Sequence, residues 1–186
     1  MKKLLFIVWA LTLLSPSAFA QWGDEEMDDK PSLSDRIFTG GGFGASFSNY
    51  YDFVSVSPMI GYKITPKLAA GIQIQYRYTK YKQTIPKTST NDYGLSPFVR
   101  YFIYPPFFLH AEYEYLSYQY PLSNGEKERE GYSSFLAGGG FFQPLGRSAG
   151  FYALALYNFS YKEPTLYEPS PYDRPLIIRA GVTVGF

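Results

Sequence analysis

From Ile37 onward, apolar and polar residues alternate with a period of two, and no later stretch holds apolar residues at helical spacing for three turns. The clearest run is Leu68 to Tyr78, where Ile72, Ile74, Tyr76 and Tyr78 alternate with Gln73, Gln75 and Arg77. Phe107 to Leu116 sets Leu109, Ala111, Tyr113 and Tyr115 against His110, Glu112, Glu114 and Leu116. Pro175 to Phe186 sets Leu176, Ile178, Ala180, Val182, Val184 and Phe186 against Ile177, Arg179, Gly181, Thr183 and Gly185. Asp52 to Ile64 follows the same rule with Val54, Val56, Ile60 and Tyr62 on one phase. Four weaker runs, Ile37 to Phe47, Asp92 to Ile103, Tyr132 to Gln143 and Gly150 to Ser160, complete a set of strands bounded by Pro, Gly, Asn and Asp.

Eight such strands, each about 10 to 13 residues, are long enough to cross a bilayer when tilted. Their connections alternate. Thr65-Pro66-Lys67, Tyr104-Pro105-Pro106 and Pro144 to Ala149 are tight, whereas Tyr81 to Asn91, Pro121 to Glu130 and Tyr161 to Arg174 are longer and polar. The expectation is an all-β chain, an eight-stranded antiparallel up-and-down transmembrane β-barrel with short turns inside and long loops outside. The composition agrees: 19 Tyr and 16 Phe in 186 residues suit aromatic girdles at two membrane–water boundaries. Tyr62, Tyr101, Phe107, Phe141, Phe151 and Phe186 fall near one boundary; Tyr76, Tyr78, Tyr113, Tyr115, Tyr157 and Phe159 fall near the other. A soluble eight-stranded barrel would reverse the two faces and line its cavity with the apolar set.

Residues 1–20 carry Lys2 and Lys3, an apolar run Leu4 to Leu14, a Ser15-Pro16-Ser17 break and an Ala18-Phe19-Ala20 cleavage site. This is the pattern of a secretory signal peptide, since the apolar run is shorter than the roughly 20 residues a spanning helix needs. Residues 21–36 hold Asp24, Glu25, Glu26, Asp28, Asp29 and Asp35 against Lys30 and Arg36, which predicts a flexible acidic periplasmic arm. The barrel domain is then 37–186. Over the whole chain 17 basic residues balance 16 acidic ones, so no nucleic-acid partner is implied. The absence of cysteine excludes a disulfide scaffold and a Cys nucleophile, and the single His110 excludes sites needing two imidazoles.

The last strand, Ile177 to Phe186, and the strand–turn–strand Val56 to Gly71 resemble small eight-stranded outer-membrane barrels of the OmpX and OmpA membrane-domain type. The resemblance implies residence in the bacterial outer membrane and contact with its lipid and lipopolysaccharide. It also implies handling by the barrel-assembly machinery, with Phe186 as the assembly signal. It implies a fold and a membrane, not an activity.

The phase facing away from lipid gathers Lys63, Gln73, Gln75, Arg77, Arg100, His110, Glu112, Glu114 and Arg179. Eight strands leave an interior only wide enough for side chains, and buried charges there need partners. Arg100 is placed to pair diagonally with Glu112, and Glu114 to meet Arg179 across the lumen. Glu112 and Glu114, at i and i+2, share a face in the manner of a glycosidase pair. A sugar polymer has no way into that lumen, and one histidine builds no Ser-His-Asp set at the rim. Gly40 to Gly44 and Gly138 to Gly140 match neither phosphate-loop pattern, and no cofactor signature is present. In the loops, Lys80, Lys82 and Lys87 suit lipopolysaccharide phosphates. Glu126 to Glu130 form a mixed-charge tip, and Thr165-Leu166-Tyr167 with Tyr172 suit contact with another envelope protein. The reading is a non-enzymatic barrel with a plugged lumen, serving envelope structure, adhesion or a complex. The alternatives are a narrow channel and, behind it, a lipid-modifying or proteolytic enzyme.

Overall fold

A computed structural model describes residues 32–47, 49, 51–82, 87–122, 126–146, 148–163, 170–172 and 174–185. The expected leader, most of the acidic arm, Thr165 to Tyr167 and Phe186 lie outside the described residues. Leu33–Arg36 form one 3-10 turn, with the Ser32 side chain accepting from the Ser34 N–H as its cap.

Eight strands follow: β1 Ile37–Phe47, β2 Tyr51–Lys63, β3 Leu68–Tyr81, β4 Ser89–Tyr104, β5 Phe107–Pro121, β6 Lys127–Pro144, β7 Ala149–Asn158 and β8 Leu176–Val184. Each pairs antiparallel with its sequence neighbour, and β8 returns to β1 to close the barrel. Closure leaves no free sheet edge where the ladders are complete. The short turns gather at one end. There Thr65 Oγ1 accepts from the Lys67 and Leu68 N–H groups, and Gly146 takes the positive φ that turn chemistry favours in glycine.

Two of the expected long loops are shorter than their polarity suggests. β3 runs to Tyr81 and β4 starts at Ser89; β5 runs to Pro121 and β6 starts at Lys127. Tyr118 pairs with Glu130, Gln119 with Arg129 and Tyr120 with Glu128, so much of the mixed-charge tip is strand. The physical reason is that the added ladder has no apolar phase, the signal a period-two reading depends on: Lys127 to Glu130 are exposed, and the buried residues at the start of β4 are Thr90 and Asp92. The walls are consequently uneven, from 18 residues in β6 to 9 in β8.

The seam is uneven too. β1 and β2 share eleven register pairs, whereas β1 and β8 share four, from Thr39↔Val184 to Gly42↔Gly181. Beyond Gly42, toward the loop end, β1 follows β2 and β8 follows β7 without pairing to each other.

The interior is layered. At the short-turn end lie Phe38, Phe98, Phe102, Phe108, Phe142 and Tyr152, all buried. Glycines on adjacent strands make room for them: a Cβ at Gly61 would collide with the Phe38 ring, and one at Gly150 with the Phe142 ring. This matches the shelter of glycine beneath an aromatic neighbour that curved barrel walls use.

Candidate functional site

The polar lumen above the aromatic layer is built from opposite walls. Period-two alternation turns His110, Glu112 and Glu114 of β5 inward, and Arg179 of β8 inward from across the barrel. Arg179 donates through Nη1 to Glu112 Oε1 at 2.6 Å and through Nη2 to Glu114 Oε2 at 2.9 Å. One guanidinium therefore ties two buried carboxylates, the charge-assisted geometry that holds most strongly. The remaining oxygens are also engaged. Glu112 Oε2 lies 3.0 Å from His110 Nε2, and Glu114 Oε1 accepts the Tyr172 hydroxyl. Tyr172 belongs to the segment between β7 and β8, where burial and then the Glu114 carboxylate push its phenol pKa upward. The residue expected to face a partner from that loop instead turns inward as a latch on the lumen.

Glu114 and Arg179 meet as the register suggests. Arg100 does not pair with Glu112. Phe98 opposes Glu112 and Arg100 opposes His110, so the pair is diagonal, but both Glu112 oxygens are already occupied. The Arg100 guanidinium instead lies among rings, 4.5 Å from the Phe108 centroid, 5.1 Å from that of Tyr152 and 5.6 Å from that of Phe98. It is 1% exposed, and its Nε and Nη1 find no hydrogen-bond partner. Aromatic faces in a desolvated site substitute for a counter-ion.

Toward the loop end, Asp92 Oδ1 accepts the Gln119 N–H at 3.0 Å, and Gln119 Oε1 accepts the Asn91 N–H at 3.2 Å. Arg129 Nη2 donates to the Asn91 carbonyl at 2.8 Å, tying β6 to β4 across β5. Arg77 stands directly opposite Asp92 and lies 5.5 Å from the Phe53 ring. Gln73 and Gln75 are buried, while Lys63 is half-buried at the short-turn end of β2. Outside, Lys82 pairs with Asp52 at 2.7 Å, and Lys80 and Lys87 are exposed.

No family model matches the chain, and no curated protein matches it. Among solved structures, it is similar to the N-terminal β-barrel domain of Pseudomonas aeruginosa OprF. The identity is 15%, over 80% of this chain and 96% of that one, with a TM-score of 0.46. The barrel is established by its own closed ladder of eight strands.

The sequence reading missed the aromatic layer. Its signal lies in the doublets Tyr101-Phe102, Phe107-Phe108, Phe141-Phe142 and Phe151-Tyr152, because in a strand one member of a doublet must face in. Asp92, Arg129 and Tyr172 depend on contacts between distant strands and loops, which alternation does not encode. Among the described residues, no three acidic or histidine side chains gather as a metal site.

Proposed function

We propose that this chain is an integral outer-membrane protein whose lumen is blocked end to end by an ion-paired plug, and that it acts through its envelope-exposed surfaces without catalysis. The observation that carries the reading is an inside-out distribution of side chains. Arg100, Asp92, Glu112 and Glu114 are buried in the centre, while Ile60, Ile74, Leu95, Val99, Leu109, Tyr113 and Val182 face outward. A continuous apolar belt of that extent marks a lipid or protein contact, and a barrel meets lipid with its backbone groups satisfied in the ladders.

The lumen chemistry supports a plug. Glu112 and Glu114 share Arg179, so neither is a lone acid or base beside an accessible substrate space. The buried aromatic layer at the short-turn end stands across the path an ion would take. Lys80 and Lys87 suit lipopolysaccharide phosphates, and the assembly machinery and another envelope protein remain the proposed partners.

The full chain, refolded into lipid vesicles, is expected to float with them after an alkaline wash and to add no discrete conductance steps in a planar bilayer. Steady unitary currents would instead establish the narrow channel. Recovery of the folded protein in the soluble fraction would overturn the membrane reading.

A further inference from the structure

The interrupted seam between β1 and β8 leads into a cavity. About 220 Å³ of space is bounded by inward-facing Gln73, Gln75, Arg77 and Arg179 and, within the same cavity, by Phe43 and Ile178 of the outer surface. Phe43 is 70% exposed and Ile178 76% exposed. Phe43, Ile178 and Ala180 border this space just where β1 and β8 are unpaired, beyond Gly42↔Gly181. The gap therefore joins the lumen to the belt that faces the acyl chains.

Its two ends have opposite chemistry. Outside, Phe43, Ile178 and Ala180 frame the opening with apolar surface. Inside, two buried amides and two guanidinium groups face the space, and Arg77 Nε has no hydrogen-bond partner. Arg179 spends its forks on Glu112 and Glu114, so of the two cations lining this space Arg77 is the one with unused donor capacity. The Ser57 and Ser55 hydroxyls reach the Gly42 and Gly44 carbonyls of β1 at 3.3 and 3.4 Å. They thereby satisfy backbone acceptors of β1 from the lumen side, where an unmet carbonyl beside hydrocarbon would be costly. The volume falls below the roughly 300–1,000 Å³ of sites that enclose a whole ligand, so it holds a headgroup and leaves a tail outside.

We infer that the β1–β8 gap is a lateral portal through which the lumen takes the anionic headgroup of a single-chain amphiphile from the membrane, at Arg77 with Gln73 and Gln75, its acyl tail lying between Phe43 and Ile178. This rests on the membrane reading above. A fatty-acid carboxylate and a lipid phosphate share the required chemistry, since both accept from a guanidinium.

The test is titration calorimetry of the full chain, refolded in a neutral maltoside micelle, with decanoate, decyl phosphate and a neutral decyl glycerol ether. One or both anions are expected to saturate a single site, the preferred one identifying the source, while the ether does not. Arg77→Gln is expected to weaken anion binding at least tenfold. Gln75→Leu, which keeps the charge, is expected to weaken it severalfold and covers the case in which Arg77→Gln fails to fold. Because the chain has no cysteine, a fluorophore at Phe43→Cys reports the route. Chain-brominated decanoate should quench it saturably, with the midpoint found by calorimetry, and should not do so at Val99→Cys on another wall. Equal affinity for anions and ether, unchanged binding in both variants, or no saturable binding overturns the portal. The same preparation is floated with vesicles: a barrel that floats yet binds no anion loses only the portal, whereas one that does not float loses the membrane reading.

Discussion

The two ends of the barrel solve the same problem, filling a narrow tube, with different chemistry. At the short-turn end, aromatic rings sit over glycines and the seam is paired. Toward the loop end, charges and amides fill the space, and β1 and β8 are no longer paired beyond Gly42↔Gly181. Rings packed over bare backbone tolerate little change in volume, whereas an ion-paired lumen tolerates volume but not loss of a partner. The difference predicts which substitutions each end can bear.

The largest effect is expected at Arg179, the strut between β5 and β8. Arg179→Ala leaves Glu112 and Glu114, both nearly fully buried, without their shared cation, and breaking a buried pair this way costs about 3–5 kcal/mol. Urea unfolding in vesicles, followed by tyrosine fluorescence, measures it. Next comes the tight end. Gly61→Val drives side-chain atoms against the Phe38 ring, and overpacking of this kind costs about 1–3 kcal/mol. Gly139→Ala is its control, because a Cβ there meets only the Phe108 carbonyl, at 3.4 Å, and its unfolding midpoint should stay near that of the wild type.

Arg100→Met sharpens the contrast within the lumen. No carboxylate is stranded, so the loss is confined to ring contacts worth up to about 2 kcal/mol, less than for Arg179→Met. A larger loss than Arg179→Met would show that Arg100, rather than Arg179, anchors the network. Tyr172→Phe removes one hydroxyl from Glu114 and should cost about 1–3 kcal/mol in the same assay, since the acceptor is charged. It should also speed proteolysis of the segment between β7 and β8. Lys82→Ala is expected to change little, within about 1 kcal/mol, because its pair with Asp52 is solvent-exposed and screened by salt.

Most of the fold was legible because the outer face and the lumen give successive side chains opposite surroundings, apolar outside and polar inside. Ile72, Ile74 and Tyr76 against Gln73, Gln75 and Arg77 leave little choice of face. The overhanging parts of β4, β5 and β6 were not legible, since Glu128, Arg129 and Glu130 are all exposed and the buried Thr90 and Asp92 are polar. The lumen was legible as a set of charges but not as a set of bonds. Register brought Arg100 within diagonal reach of Glu112, yet rotamer choice and competition from Arg179 and His110 decided the partner. Likewise, period two places Gly42 and Gly181 on the inner phase without saying that pairing stops there.

The unequal strands give the rim a slope. At about 3.4 Å per residue, β6 carries roughly 30 Å more chain than β8. Among the described residues the ladder therefore extends farthest at β6, with Glu128, Arg129 and Glu130 exposed along it.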